Sequence, residues 1–210
     1  MRDLASTART AVSMTRLAAR RWWLRTARPE VFDSESLEFR LAGEPNILFL
    51  CHGNICRSPL AERYLRRQVR RLDDVDAAVA SAGLSTHAGK GSPEKAIRAA
   101  EKVGVSLRDH RATPLQAEAL QWSDAVFVMD VPNYLRLRQQ FGDWDDRTYF
   151  LATLRDDGPD ELHDPYGGEL PAYRRRYDEI VQAVDTLIDE LRSVQGKQGG
   201  YASQPANAEQ

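Results

Sequence analysis

Read for its alternation of apolar and polar positions, the chain divides into three unequal zones. Across residues 46–195, short apolar runs alternate with stretches of helical spacing, as expected of an α/β sheet. The runs 46–51 (NILFLC), 76–83 (DAAVASAG, closing on glycine) and 124–130 (DAVFVMD) predict strands, and 147–151 (RTYFL) predicts a short fourth one. Between them, 58–72 (SPLAERYLRRQVRRL) predicts a helix with serine and proline at its start. A second Ser-Pro opens the helix predicted over 92–104, which Gly104 ends. A short helix is expected over 114–122 and a longer one over 131–142. The last helix, 170–194, carries Ile180, Val184, Leu187, Ile188 and Leu191 at helical spacing. No internal repeat interrupts this order.

The flanks read differently. Residues 1–45 are rich in Arg, Ser and Thr and end in a turn-like LAGEP, and 196–210 (GKQGGYASQPANAEQ) has the composition of a disordered tail. The expected organisation is therefore an extension (1–45), a catalytic domain (46–195) and a tail (196–210). Charge sharpens that division. Residues 1–29 hold seven arginines against one acid, Asp3, a net +6, so the remainder carries −8 of the net −2. On a helical wheel Arg2, Arg9, Arg16 and Arg20 oppose Leu4, Ala11, Met14, Ala18 and Trp22. That makes residues 1–29 a candidate for peripheral contact with an anionic membrane, or for organelle targeting. An extra helix packed on the domain, or a misassigned start codon, accounts for the same pattern. An acidic body argues against nucleic acid as the main partner. The 210 residues suffice for one α/β domain with a core, and no apolar run reaches the ~18–20 residues of a membrane-spanning helix.

Two cysteines, Cys51 and Cys56, give no disulfide framework, and a lone Cys-x4-Cys is a poor zinc site. No metal is expected, and a reducing, cytoplasmic compartment is the default expectation. The position of the cysteines is more telling. A strand ending in Cys51 puts its sulfur at the carboxyl end of the strand, where open α/β sheets bind ligands. The crossing residues His52, Gly53, Asn54, Ile55 and Cys56 can turn their N–H groups inward as an anion nest above a helix N-terminus. Arg57 adds a planar fork matched to two phosphate oxygens. Helix terminus and arginine both favour an anionic sulfur, and a thiolate in a phosphate cradle implies attack on phosphorus. A buried, inert cysteine at a strand end is the alternative, and Gly53, Asn54, Arg57 and Ser58 argue against it.

LFLCHGNICRSPLAE closely resembles the signature of the low-molecular-weight protein tyrosine phosphatases, written V-C-x-G-N-x-C-R-S-P. SAG at Ser81–Gly83, DHRA at Asp109–Ala112, VMDVPN at Val128–Asn133 and HDPYGG at His163–Gly168 follow in the family's order, over roughly residues 46–193. The resemblance implies a three-layer open sandwich with a four-stranded parallel sheet, order 2-1-3-4, flanked by helices. It implies Cys51 as the nucleophile of a phosphocysteine intermediate and Arg57 as the holder of the equatorial oxygens. Asp164 would be the general acid and base, and Ser58 a hydrogen-bond donor to the sulfur. Asn54, Ser58, Ser81 and His110 would form a network beneath the loop, with Asp130 and Asn133 in structural roles. A structural role suits His110 better than a catalytic one. Tyr166 would wall a slot deep enough for a phenyl phosphate. Cys56 would close a reversible disulfide with Cys51; a small residue filling the loop interior is an equally good account. No cofactor is implied, because Arg57 and the loop amides carry the charge work.

The departures concern specificity. His52 stands where relatives often carry a hydrophobic residue or threonine, His87 near an aromatic rim position, and Tyr166 alone where many eukaryotic members have two aromatics. Arsenate reduction on this fold relays through further cysteines, and none follows Cys56. Protein arginine phosphatases typically show threonine where this chain has Ile55, which favours a phosphotyrosine protein as substrate, a tyrosine kinase among the candidates. The remaining alternatives are an arginine phosphatase and a non-catalytic phosphoprotein-binding module. If chemistry is confined to 46–195, removal of residues 1–45 is expected to leave turnover of a small aryl phosphate intact.

Overall fold

The unbroken apolar run at Asn46–Cys51 has no polar face to show to water, and it becomes an inner strand paired along both edges. The structure, a computed structural model, describes residues 36–202, with side chains through 197, and the isolated positions 19, 22 and 26. The arginine-rich face expected in residues 1–29 lies outside the described residues, apart from these isolated positions. In chain order the elements are α1 (Leu37–Arg40), β1 (Asn46–Cys51), α2 (Arg57–Val69), β2 (Ala78–Gly83) and α3 (Glu94–Lys102). Then follow α4 (Ala117–Trp122), β3 (Ala125–Val128), α5 (Val131–Phe141), β4 (Thr148–Phe150) and α6 (Leu170–Ala202). The four strands form one parallel sheet in the order β2-β1-β3-β4, as the resemblance implied.

Side-chain alternation on the strands separates two cores. Ile47, Phe49 and Cys51 of β1 face a large core with Phe127, Tyr149 and the inner sides of α1, α2, α3 and α6. Leu48 and Leu50 face a smaller one closed by Leu120 of α4 and by Val131, Tyr134 and Leu137 of α5. Helices therefore cover both faces, giving a three-layer sandwich. Across the large-core face an aromatic ladder joins three strands, Phe49 to Phe127 at 5.5 Å and Phe127 to Tyr149 at 5.9 Å between ring centroids. The register sets Cys51 beside Gly83, so the carboxyl ends of β1 and β2 finish level.

Three expected boundaries shift. Helix α4 begins at Ala117 because Pro114 and Leu115 are used by the sheet end, where Leu115 N donates to Gly83 O at 2.9 Å. Helix α6 runs to Ala202, so the first residues expected in a tail are helical. The extension does not end at residue 45 either. Leu37 and Leu41 are buried in the large core, Ser36 Oγ lies 3.1 Å from Tyr149 Oη, and Arg40 pairs with Asp146 at 2.8 Å. A four-residue helix with one buried leucine, followed by a second at its C-cap, is too short to give a periodic signal, which is why the sequence placed this turn outside the domain.

Deleting residues 1–45 thus removes part of the core. Leu41→Ala is expected to lower stability by about 2–5 kcal/mol, read as a shift in urea midpoint with unchanged slope. A midpoint equal to that of the parent protein would place α1 outside the cooperative unit.

Candidate active site

Between Cys51 and Arg57 the chain must turn from strand to helix in five residues, and one position takes the strain. Asn54 alone among the described non-glycine residues has a positive φ, 48°, in the left-handed region that asparagine tolerates. The turn brings the Asn54 N–H to 3.2 Å from Cys51 Sγ, and Ser58 Oγ donates to the same sulfur at 3.1 Å. Ser58 is therefore not a helix cap, although the Ser-Pro pair looks like one. Helix α2 has Cys56 at its N-cap with no capping side chain, so its first amides are left facing the loop.

The Asn54 side chain holds the turn from below. Its Nδ2 donates to Ser58 Oγ at 2.9 Å and to Ser81 Oγ at 2.8 Å, and its Oδ1 accepts from Thr113 N at 2.9 Å. Its carbonyl accepts from His110 Nε2 at 2.7 Å. Ser81 in turn donates to Glu62 Oε2 at 2.5 Å. A continuous relay thus runs from Glu62 through Ser81, Asn54 and Ser58 to the sulfur, with Asn54 buried and satisfied at every polar atom. Burial lowers the His110 pKa, keeping the ring neutral and suited to its carbonyl partner. Gly83 lies against this turn: a Cβ there would meet Thr86 Cγ2 at 2.7 Å, Asn54 Cβ at 3.0 Å and the Gly53 carbonyl carbon at 3.1 Å.

Arg57 is 1% exposed. Its Nη1 donates to Asp130 Oδ2 at 2.5 Å and Leu162 O at 2.9 Å, and its Nη2 pairs with Asp164 Oδ2 at 2.8 Å. Burial opposes its charge, but Asp130, Cys51 and Asp164 outweigh it and raise its pKa. Its Nε is buried without an acceptor. Asp130 does double duty, since its Oδ1 caps α5 by accepting from Asn133 N at 2.8 Å. Leu162 reaches Arg57 because its own N–H is tied to Met129 O at 2.7 Å.

Asp164 and Tyr166 stand on the loop before α6, where Tyr166 N donates to Asp164 Oδ1 at 3.2 Å. With Cys51, His52, Gly53, Ile55, Cys56, Ser85 and Lys90 they line a cavity of about 210 Å³. Tyr166 is 59% exposed, a rim residue, and the Lys90 ammonium lies 5.6 Å from its ring centre. His52 is exposed at the mouth. Cys56 is buried and a free thiol like Cys51; burial first, then Cys51 and Asp164, push its pKa far up. Tyr177 of α6 donates to the Cys56 carbonyl at 3.1 Å, and Tyr173, pushed up to about 12 by burial and Cys56, packs nearby. All twelve expected site residues lie in or directly beneath this turn and its cavity. Glu62, Thr113, Leu162 and Lys90 were not anticipated. No cluster of His, Cys, Asp or Glu able to hold a metal occurs among the described residues.

The family model described as low molecular weight phosphotyrosine protein phosphatase matches residues 46–197. The chain belongs to this family. Among relatives of this phosphatase, the protein-arginine-phosphatase of Geobacillus stearothermophilus is 30% identical, covering 71% of this chain and 97% of the relative. The low molecular weight protein-tyrosine-phosphatase Wzb of Escherichia coli K12 is 32% identical, covering 69% and 88%. A crystal structure of the tyrosine phosphatase Wzb from Escherichia coli K30 in complex with sulphate superposes with a TM-score of 0.64 at 30% identity, covering 71% of this chain and 99% of Wzb.

Two outcomes are expected of this low molecular weight phosphatase. Gly83→Ala should displace the turn, lowering kcat/KM for an aryl phosphate about tenfold or more while costing roughly 1–3 kcal/mol of stability. Because the His110 pKa is depressed, the unfolded chain takes up that proton first, so stability should fall as pH drops below about 6.5. His110→Gln should flatten that part of the profile; urea midpoints at neutral and mildly acidic pH would show it.

Proposed function

We propose that the protein hydrolyses phosphotyrosine in protein substrates through a phosphocysteine intermediate, without a metal. The observation that carries this reading is the buried Arg57 fork beside Cys51, with one N–H lacking an acceptor and another held only by the partly exposed carboxylate of Asp164. A phosphate oxygen would satisfy Nε, whose burial without a partner costs free energy. A second oxygen would take the place of Asp164 on Nη2. The loop amides and Arg57 then hold the equatorial oxygens and offset their charge in a loose transition state.

Cys51 attacks phosphorus in line, forming the S–P bond as the bond to the phenolic oxygen breaks. Asp164, displaced from Arg57 by the phosphate and carrying the proton that the substrate monoanion brings, gives that proton to the phenolic oxygen. In the second step Asp164 takes a proton from water, water oxygen attacks phosphorus, and the S–P bond breaks to return the thiolate. The Ser58 and Asn54 donors stabilise the leaving sulfur. Asp130 and Leu162 keep Nη1 in place throughout, so Arg57 need not be reoriented when Asp164 departs.

Ile55 and Tyr166 favour a phenyl phosphate, being an apolar wall and an aromatic rim on the same cavity. The relative named a protein-arginine-phosphatase supports the other reading, hydrolysis of phosphoarginine. The residue at the wall separates the two: arginine phosphatases typically carry threonine at the position of Ile55.

Phosphotyrosine, phosphoserine and phosphoarginine peptides assayed without added metal test this reading. Phosphotyrosine turnover should dominate; Cys51→Ser should abolish it, and Asp164→Ala should lower it about 10²–10⁴-fold. Ile55→Thr should raise the phosphoarginine-to-phosphotyrosine ratio. Preferred turnover of phosphoarginine by the parent protein would establish the arginine reading, and activity surviving Cys51→Ser would reject the mechanism.

A further inference from the structure

A cluster of five arginines lies away from the catalytic loop. Helix α2 carries Arg63, Arg66 and Arg67, and Arg70 and Arg71 follow directly at its C-terminal end, so that all five line one side. With Gly104, Val105, Ser106 and Asp109 they line a groove of about 480 Å³, more than twice the catalytic cavity. At 1.5 Å per residue, Arg70 stands about 20 Å along the helix axis from Arg57, so the two cavities are separate.

Three of the arginines are held in position by backbone carbonyls. Arg63 Nη1 donates to Ser106 O at 2.8 Å and Arg66 Nη2 to Val79 O at 2.5 Å. Arg67 Nη1 donates to the carbonyls of Val103 and Gly104, and its guanidinium lies 5.0 Å over the Tyr64 ring. Gly104, at φ +73°, leaves Arg67 room that a Cβ would fill. Arg63 is neutralised by Asp109 at 2.7 Å and Arg66 by Glu62 at 2.7 Å. Arg67, Arg70 and Arg71 form no ion pair among the described residues, and Asp109 is the one carboxylate on the lining. Three uncompensated guanidiniums converging on one concavity repel each other, and each offers a fork matched to phosphate oxygens.

We infer that this groove is a second anion site, for a small ligand carrying two or more neighbouring phosphates. Its concave, bounded shape between α2 and the 103–109 segment fits a compact polyphosphate better than a duplex. The same chemistry is offered by a soluble polyphosphate and by a multiply phosphorylated lipid headgroup. The site is independent of the catalytic reading, since none of its residues touches the catalytic cavity.

Calorimetric titration of the full chain with sodium tripolyphosphate at about 0.15 M salt tests it, with orthovanadate occupying the catalytic loop. One equivalent should still bind. Arg70→Glu/Arg71→Glu, with its fold checked by thermal melting, should bind at least about tenfold more weakly. Arg174→Glu/Arg175→Glu, the same charge change on α6, should bind as the parent does. Loss of all binding under orthovanadate, or equal weakening in both variants, would overturn the site. Vesicles bearing a phosphatidylinositol bisphosphate then separate the sources. Recruitment that tripolyphosphate reverses identifies the headgroup, and its absence alongside tripolyphosphate binding identifies a soluble ligand.

Discussion

Asn54 is bonded through its amide N–H to the sulfur of Cys51, through its side chain to Ser58, Ser81 and Thr113, and through its carbonyl to His110. Five groups from four separate stretches of chain therefore converge on one residue, itself in a left-handed conformation. Few other residues could serve: the φ excludes β-branched side chains, and the geometry needs two donors and an acceptor on one short stem. The level ends of β1 and β2, the absence of a Cβ at Gly83 and the unused capping role of Ser58 all follow from keeping that turn closed. The sheet supplies the platform, since Ser81 and Cys51 sit on adjacent strands in fixed register.

Arg57 depends on the other side of the sheet. Asp130 follows β3 by two residues and caps α5, so the carboxylate that fixes the guanidinium also fixes the helix that closes the smaller core. Helix α6 reaches the loop from behind through Tyr177, and its far end holds the entry to β2 through Gln195 and Asp76. The turn between Cys51 and Arg57 is thus clamped from both layers, which is the supporting shell a preorganised site requires.

How much of this was legible in the sequence depended on range. Cys51, Asn54, Arg57 and Ser58 could be assigned roles because they lie within one turn, where strand end, helix start and residue chemistry constrain each other. The resemblance gave Asp130 a structural role, but nothing marked it as the partner of Arg57, 73 positions away. Glu62 went unread, one charge among several on its helix. Leu162 acts through its carbonyl, which every residue possesses, so no residue type could announce it. Leu37 and Leu41 were missed because one helical turn is shorter than the period that reveals a helix.

The two carboxylates on Arg57 have a further consequence. Its single positive charge is shared with Asp130 at 2.5 Å and Asp164 at 2.8 Å. A dianion arriving there finds Nη1 already held by Asp130, and it gains Nη2 only by displacing Asp164, so the loop amides and the α2 terminus share the task of holding it. Asp164 returning to Nη2 then competes with the released inorganic phosphate for the same donor. The arrangement is biased toward throughput over storage, which is what distinguishes a turnover site from a phosphate receptor.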